Sequence, residues 1–169
     1  PECDALAFSA MHLVDRFNIY SDLYYYNLSG GFDSLTNGDR ARTPEFSPDG
    51  TRLLAVQNDA QNTRLIEVRV DRSERVLLDP GDHVQLAQPR FSPDGRHIAL
   101  TVWHEGRRDI WITDAEGQVV RRVTDDEASD VDPRFSADGR TLLFASDRSG
   151  VFNIYAVDLA TEHPYQVTN

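Results

Sequence analysis

Pro89-Arg90-Phe91-Ser92-Pro93-Asp94-Gly95 decides the reading of this chain, because it occurs three times. It stands earlier as Pro44-Glu45-Phe46-Ser47-Pro48-Asp49-Gly50 and later as Pro133-Arg134-Phe135-Ser136-Ala137-Asp138-Gly139. In Ser-Pro-Asp-Gly the proline presets φ for the second turn position and aspartate tolerates the third. Glycine then takes the place where positive φ or close approach is wanted. Each motif therefore predicts a tight hairpin, and a type I turn tolerates Ala137 in the third copy. Phe46, Phe91 and Phe135 read as core aromatics packed between neighbouring units.

Outward from each motif the order of segments also repeats. An apolar stretch follows: Leu53-Leu54-Ala55-Val56, Ile98-Ala99-Leu100-Thr101-Val102 and Leu142-Leu143-Phe144-Ala145. A polar loop leads to Leu65-Ile66-Glu67-Val68, Asp109-Ile110-Trp111-Ile112 and Asn153-Ile154-Tyr155-Ala156-Val157. A short strand around Val76, Val120 and Gln166 closes each copy. Four short β-rich stretches in a period of roughly 44 residues are the signature of a β-propeller blade. The expected fold is all-β with almost no helix, in one domain over residues 1–169. Its blades are expected at about 43–80, 88–125 and 132–169, with an incomplete one at 5–38. The incomplete blade rests on Asp22-Leu23-Tyr24-Tyr25-Tyr26, which aligns with Asn153-Ile154-Tyr155. Exposed edges at both ends predict either further blades in the same polypeptide or edge-to-edge self-association.

Composition narrows the function. The 169 residues carry 17 basic against 28 acidic side chains, a formal net charge of −11. That balance argues against a nucleic-acid partner, which is held by cationic contacts to phosphate. All the basic residues are arginine, which reads as compositional bias. The single Cys3 excludes an internal disulfide and a cysteine-built zinc site. No apolar run is long enough to predict a membrane span, and Pro1-Glu2-Cys3-Asp4 does not read as a signal peptide, which leaves open one that has been removed. There is no Gly-x-Ser-x-Gly nucleophile elbow, no His-Glu-x-x-His and no phosphate-binding glycine loop. Catalytic residues, a resident metal and a cofactor are accordingly not expected.

These motifs resemble the TolB-like β-propeller repeat family, in which Pro-x-Phe-Ser-Pro-Asp-Gly precedes an apolar strand, Ser-Asp-Arg-x-Gly and Asn/Asp-Ile-Tyr/Trp. The last unit matches most fully, through Ser146-Asp147-Arg148-Ser149-Gly150 and Asn153-Ile154-Tyr155. The unit before it has Asp109-Ile110-Trp111 but Trp103-His104-Glu105-Gly106-Arg107-Arg108 in the loop, and Asn58–Thr63 departs further. The resemblance implies a non-catalytic module that binds a protein, peptide or glycan in the bacterial envelope, with a periplasmic or otherwise extracytoplasmic location. It equally covers propellers that gate a serine peptidase domain of the prolyl oligopeptidase type, which here would lie outside this chain.

Strand parity divides the connections between two faces. The motif turns and third-to-fourth turns share one face. Segments 11–21, 57–63, 79–88, 103–108, 125–132 and 146–152 share the other, and loops on a rigid scaffold are where recognition concentrates. Candidate binding residues there are Asp82, His83, Trp103, His104, Arg107, Arg108, Asp125, Asp126, Asp130 and Arg148. Trp103 beside arginines has the composition of an interface anchor, although it also fits the end of a core strand. The acidic run Asp125-Asp126-Glu127 with Asp130 and Asp132 has no EF-hand glycine and reads chiefly as a solvated loop. The Asp15-Arg16 and Asp147-Arg148 pairs are expected to bridge blades or brace a loop.

Overall fold

The computed structural model describes residues 4–14, 16–59 and 62–169. Fifteen strands form four antiparallel sheets, and no helix occurs among the described residues. The first sheet has three strands, β1 (Ala5–Val14), β2 (Asn18–Asn27) and β3 (Gly31–Ser34). The second contains β4 (Ala41–Phe46), β5 (Arg52–Asn58), β6 (Thr63–Arg69) and β7 (Glu74–Leu78). The third contains β8 (Gln85–Phe91), β9 (His97–His104), β10 (Arg107–Asp114) and β11 (Val119–Arg122). The fourth contains β12 (Asp130–Phe135), β13 (Thr141–Ser146), β14 (Asn153–Asp158) and β15 (Pro164–Gln166). Each sheet is a meander in chain order. The leading strands β4, β8 and β12 approach one another in sequence, so the sheets fan out from a common axis as propeller blades.

The core lies between blades. Leu23 and Leu35 of the first blade pack with Leu53, Ala55 and Ile66 of the second. Leu54, Val56 and Leu65 meet Leu86, Ile98 and Leu100, and Ile110 meets Leu142 and Phe144. Each fully buried Leu or Ile contributes roughly 2 kcal/mol, so a blade is stabilised mainly by its neighbours. The motif phenylalanines sit in these seams as the sequence predicts. Phe91 is a core member, Phe135 packs on its edge, and Phe46 meets Tyr25 edge-on at 6.4 Å.

The Ser-Pro-Asp-Gly turns are more tightly specified than turn propensity alone predicts. Gly50 N–H donates to the Ser47 carbonyl at 2.8 Å, with Gly50 at φ 71°. Asp49 Oδ1 accepts from Ser47 Oγ at 2.5 Å and from Thr51 N–H at 3.1 Å, while Ser47 Oγ accepts from Arg52 N–H at 3.0 Å. The same bonds recur at Ser92/Asp94 and Ser136/Asp138, the latter despite Ala137. Hydrogen bonding to the carboxylate pulls Asp49 down to about 2 and lowers Asp94 and Asp138.

Two segments differ from the sequence reading. Residues 11–21 form mainly strand: β1 and β2 pair from Ala5↔Asn27 to Val14↔Asn18. The ladder runs on through Met11↔Ser21 and Leu13↔Ile19 where a loop was expected. Residues 103–108 are likewise a hairpin whose turn is only Glu105 and Gly106, at φ 51° and 81°. Two successive positive φ values suit a two-residue hairpin. Asp15 lies outside the described residues, as do residues 60 and 61.

A third feature carries no signal that the sequence reading used. The leading strands all bulge before their proline, with Thr43, Gln88 and Asp132 at φ 54°, 52° and 56°. The bulge relieves Pro44, Pro89 and Pro133 of a ladder donor they lack. It also links blades: Asp132 N–H donates to Gln88 Oε1 at 3.1 Å, and Arg90 pairs with Glu45 at 3.2 Å.

Candidate functional site

On the loop face, the connection entering β8 and the turn joining β9 to β10 enclose an open cavity of about 490 Å³. Asp82, His83, His104, Arg107 and Asp125 line it above Trp111. These are among the residues singled out from sequence, gathered from three separate segments. His83 adopts φ 66°, a left-handed conformation that fixes where the chain enters the blade. Arg107 pairs with Asp125 at 3.4 Å and with Glu105 at 3.7 Å. Arg122 lies over the Trp111 ring at 4.8 Å. Asp82 accepts a hydrogen bond from Asn62 Nδ2 at 3.0 Å.

The other predicted residues fall elsewhere. Trp103 is the penultimate residue of β9 with 40% of its surface exposed, and the Arg108 guanidinium lies 5.8 Å from its ring centre. Trp103 thus stands near the end of a core strand with its ring partly exposed, while its neighbour Val102 takes the buried face. Arg108 also donates to Ser129 Oγ at 3.4 Å. Asp130 is not part of a solvated loop. It is fully buried at the start of β12, where Arg148 Nη2 approaches its carboxylate at 2.9 Å. Arg148 reaches Asp126 at 3.3 Å and stacks near Phe144 and Tyr155, so Asp130 and Arg148 brace the fourth blade from within. Asp147 Oδ1 accepts Ser129 N–H at 2.8 Å, the loop brace expected of the Asp-Arg pair.

A buried arrangement beside the cavity has the composition of a catalytic relay. His104 Nε2 lies 3.2 Å from Asp109 Oδ2, and Thr124 Oγ1 lies 3.4 Å from Asp109 Oδ1. Desolvation raises the Asp109 carboxyl above its ordinary value, opposed chiefly by a hydrogen bond from the Asp126 N–H. Yet Thr124 is engaged as acceptor for Ile110 N–H at 3.0 Å. The arrangement also repeats. In the first blade Thr36 bonds Asp22 at 2.6 Å and Leu23 N–H, with His12 at 3.4 Å from Asp22. In the fourth, Thr168 bonds Asn153 at 3.2 Å and Ile154 N–H. A unit present in three blades, and working with Asn in place of Asp, ties the segment after each blade's last strand to the strand before it. It is architecture. The sequence reading noted the Asn/Asp but missed its threonine, which recurs 14 or 15 residues later.

No group of three or more His, Cys, Asp or Glu side chains among the described residues could hold a metal ion. The loop-face cavity instead presents mixed charge around an aromatic floor, the chemistry of noncovalent recognition.

Residues 42–169 match the family model of the TolB beta propeller domain. The chain is 31% identical over 157 residues to a protein TolB homolog of Chlorobium luteolum, covering 84% of this chain and 32% of the relative. It thus spans about a third of that relative's length. TolB from Acinetobacter baumannii superposes with a TM-score of 0.82 at 21% identity, over 98% of this chain and 42% of that one. A puromycin-hydrolyzing peptidase of Mycobacterium tuberculosis superposes at 0.72 with 19% identity, over 96% and 30% respectively. These structural likenesses show the propeller fold. The family model and the sequence identity go further, and together with the motif turns and inter-blade seams they show that this chain belongs to the TolB β-propeller domain family.

Proposed function

We propose that this chain is a non-catalytic recognition module that presents its loop face to a protein partner in the bacterial envelope, on the extracytoplasmic side. The observation that carries the reading is the convergence of Asp82, His83, His104, Arg107 and Asp125 on one open cavity. Membership of the TolB propeller family supports the envelope setting; the chain is also 33% identical over 114 residues to the Tol-Pal system protein TolB of Anaeromyxobacter dehalogenans, and that resemblance makes an envelope lipoprotein the first partner to try. The test is calorimetric titration of the full-length protein with the lipoprotein component of its Tol–Pal system. Saturable binding is expected, weakened at least about tenfold by Arg107→Glu.

A second reading rests on the likeness to the peptidase structure: a propeller gating a hydrolase domain located elsewhere in the polypeptide. It predicts that the full-length protein releases p-nitroaniline from short peptide p-nitroanilides. A protein that binds the lipoprotein and leaves those peptides intact supports the recognition module.

A further inference from the structure

On the face opposite the loops, a cleft of about 440 Å³ opens between the third and fourth blades. Repetition shows what fills the same place one blade earlier. Glu67 pairs across the ladder with Leu54, as Ile112 does with Ala99, and Arg52 occupies the motif position of His97. Between the second and third blades, Arg52 bonds buried Glu67 at 3.3 Å and lies 5.3 Å from the Phe91 ring centre. Arg75 then joins Glu67 to Glu116 of the next blade at 3.2 and 2.7 Å. The outer half of this plug survives in the later seam, where Arg121 reaches Glu162 at 3.1 Å and the Leu159 carbonyl at 2.6 Å. The inner half does not. Ile112 and His97 replace the ion pair, and the seam is left as a cleft with Ile112, Val120, Phe135 and Leu159 in its walls.

Charge says what suits this cleft. Asp94 and Asp138 stand in its wall, and the hydrogen bonds that lock their turns fall on Oδ1 of each. Those bonds favour the ionised carboxylates. Arg121, the arginine of the wall, is committed to Glu162 and a carbonyl, while His97 lines the cleft and Arg96 and Arg140 adjoin the two motif carboxylates. An occupant must therefore supply apolar surface for the interior and positive charge for the rim.

We propose that this cleft is a second docking site, which takes a peptide segment of a protein partner by burying one bulky aliphatic side chain against Ile112 and Phe135 and setting an adjacent basic residue on Asp94 and Asp138. It lies on the face opposite the loop-face cavity, so the two sites stand or fall separately.

The probe is acetyl-Gly-Leu-Arg-Gly-amide, titrated into full-length protein labelled at Ile, Leu and Val methyls and followed by NMR. Saturable shifts of Ile112, Val120 and Leu159 methyls are expected, at least about tenfold weaker for the Leu-Glu analogue. Two variants locate the site. His97→Arg with Ile112→Glu rebuilds the plug of the preceding seam, and exposed Val120→Arg places a cation at the rim without touching the core. Both are expected to weaken binding at least about tenfold. Absence of saturable shifts at these methyls, equal binding of the Leu-Glu analogue, or binding unchanged in folded Val120→Arg overturns the proposal. Shifts confined to the loop face also overturn it.

Discussion

Single residues carry sharply different loads within the same repeat. Gly50 and Gly117 both have positive φ, 71° and 88°. A Cβ on Gly50 meets nothing within 4 Å, whereas one on Gly117 would stand 2.0 Å from the Leu77 carbonyl oxygen of the preceding blade. Gly50→Ala is therefore expected to cost about 1 kcal/mol of backbone strain. Gly117→Ala should cost at least about 3 kcal/mol, because backbone in another blade must also move. Equal melting temperatures for the two variants would contradict the seam geometry.

The aspartates make opposite statements about pH. Folding depresses the motif carboxylates from 3.8, Asp49 to about 2. Their contribution is thus present above pH 4 and is lost as the pH falls towards 2. Thermal melts should show stability dropping across that window, and a variant with Asn at 49, 94 and 138 should show a shallower drop. Asp109 is shifted upward by burial, so its ionised form opposes folding at neutral pH. Asn153 already holds the equivalent threonine in the fourth blade. Asp109→Asn should keep the Thr124 bond and melt at pH 7 no lower than the parent. A marked fall would show that the His104 pairing outweighs the burial of charge.

At the scale of elements, the threonine clamp accounts for how short strands hold their ends. β11 and β15 are four and three residues long, so few ladder bonds secure them. Thr124 and Thr168 add a side-chain acceptor for Ile110 and Ile154 N–H just beyond those strands. Thr124→Val removes the buried acceptor while keeping the shape. It should cost about 1–3 kcal/mol, read by denaturant unfolding, since it orphans a buried N–H. Unchanged stability would mean that the clamp is incidental.

What was legible in sequence follows from the same scale. The Ser-Pro-Asp-Gly turns and apolar strands are local patterns, and they put Phe91 between blades and Ile98 and Ile110 in strands. The β9–β10 turn was read as a longer loop because Trp103, His104 and Arg107 have polar or amphipathic side chains that do not reveal a strand. Asp130 was read as exposed because its partner Arg148 lies 18 residues away in another hairpin. The bulges at Thr43, Gln88 and Asp132 precede prolines that the sequence reading uses only as part of the turn motif, so the missing ladder donors go unused as a signal. Strand parity puts Asp82, His83, His104, Arg107 and Asp125 on one face, and it survives such errors because it counts connections.

At the scale of the molecule, stability resides in seams, and two blade faces have no seam in this chain. Phe8, Tyr24 and Phe32 stack at 5.6 and 5.1 Å on the first blade, with Phe32 59% exposed. On the last blade Ile154, Tyr165 and Val167 are exposed. Patches of this kind drive association. Residues 1–169 expressed alone should therefore oligomerise with rising concentration in sedimentation velocity. A strictly monomeric segment would mean that the edges are self-protected.

The central proposal is that this chain is a non-catalytic recognition module whose loop face binds a protein. Titration of full-length protein with the Tol–Pal lipoprotein, with the parent and Arg107→Glu in parallel, tests it most directly. The account predicts saturable binding by the parent and a loss of at least about tenfold in the variant. Equal binding by both, or no binding together with hydrolysis of short peptides by the parent, would contradict it.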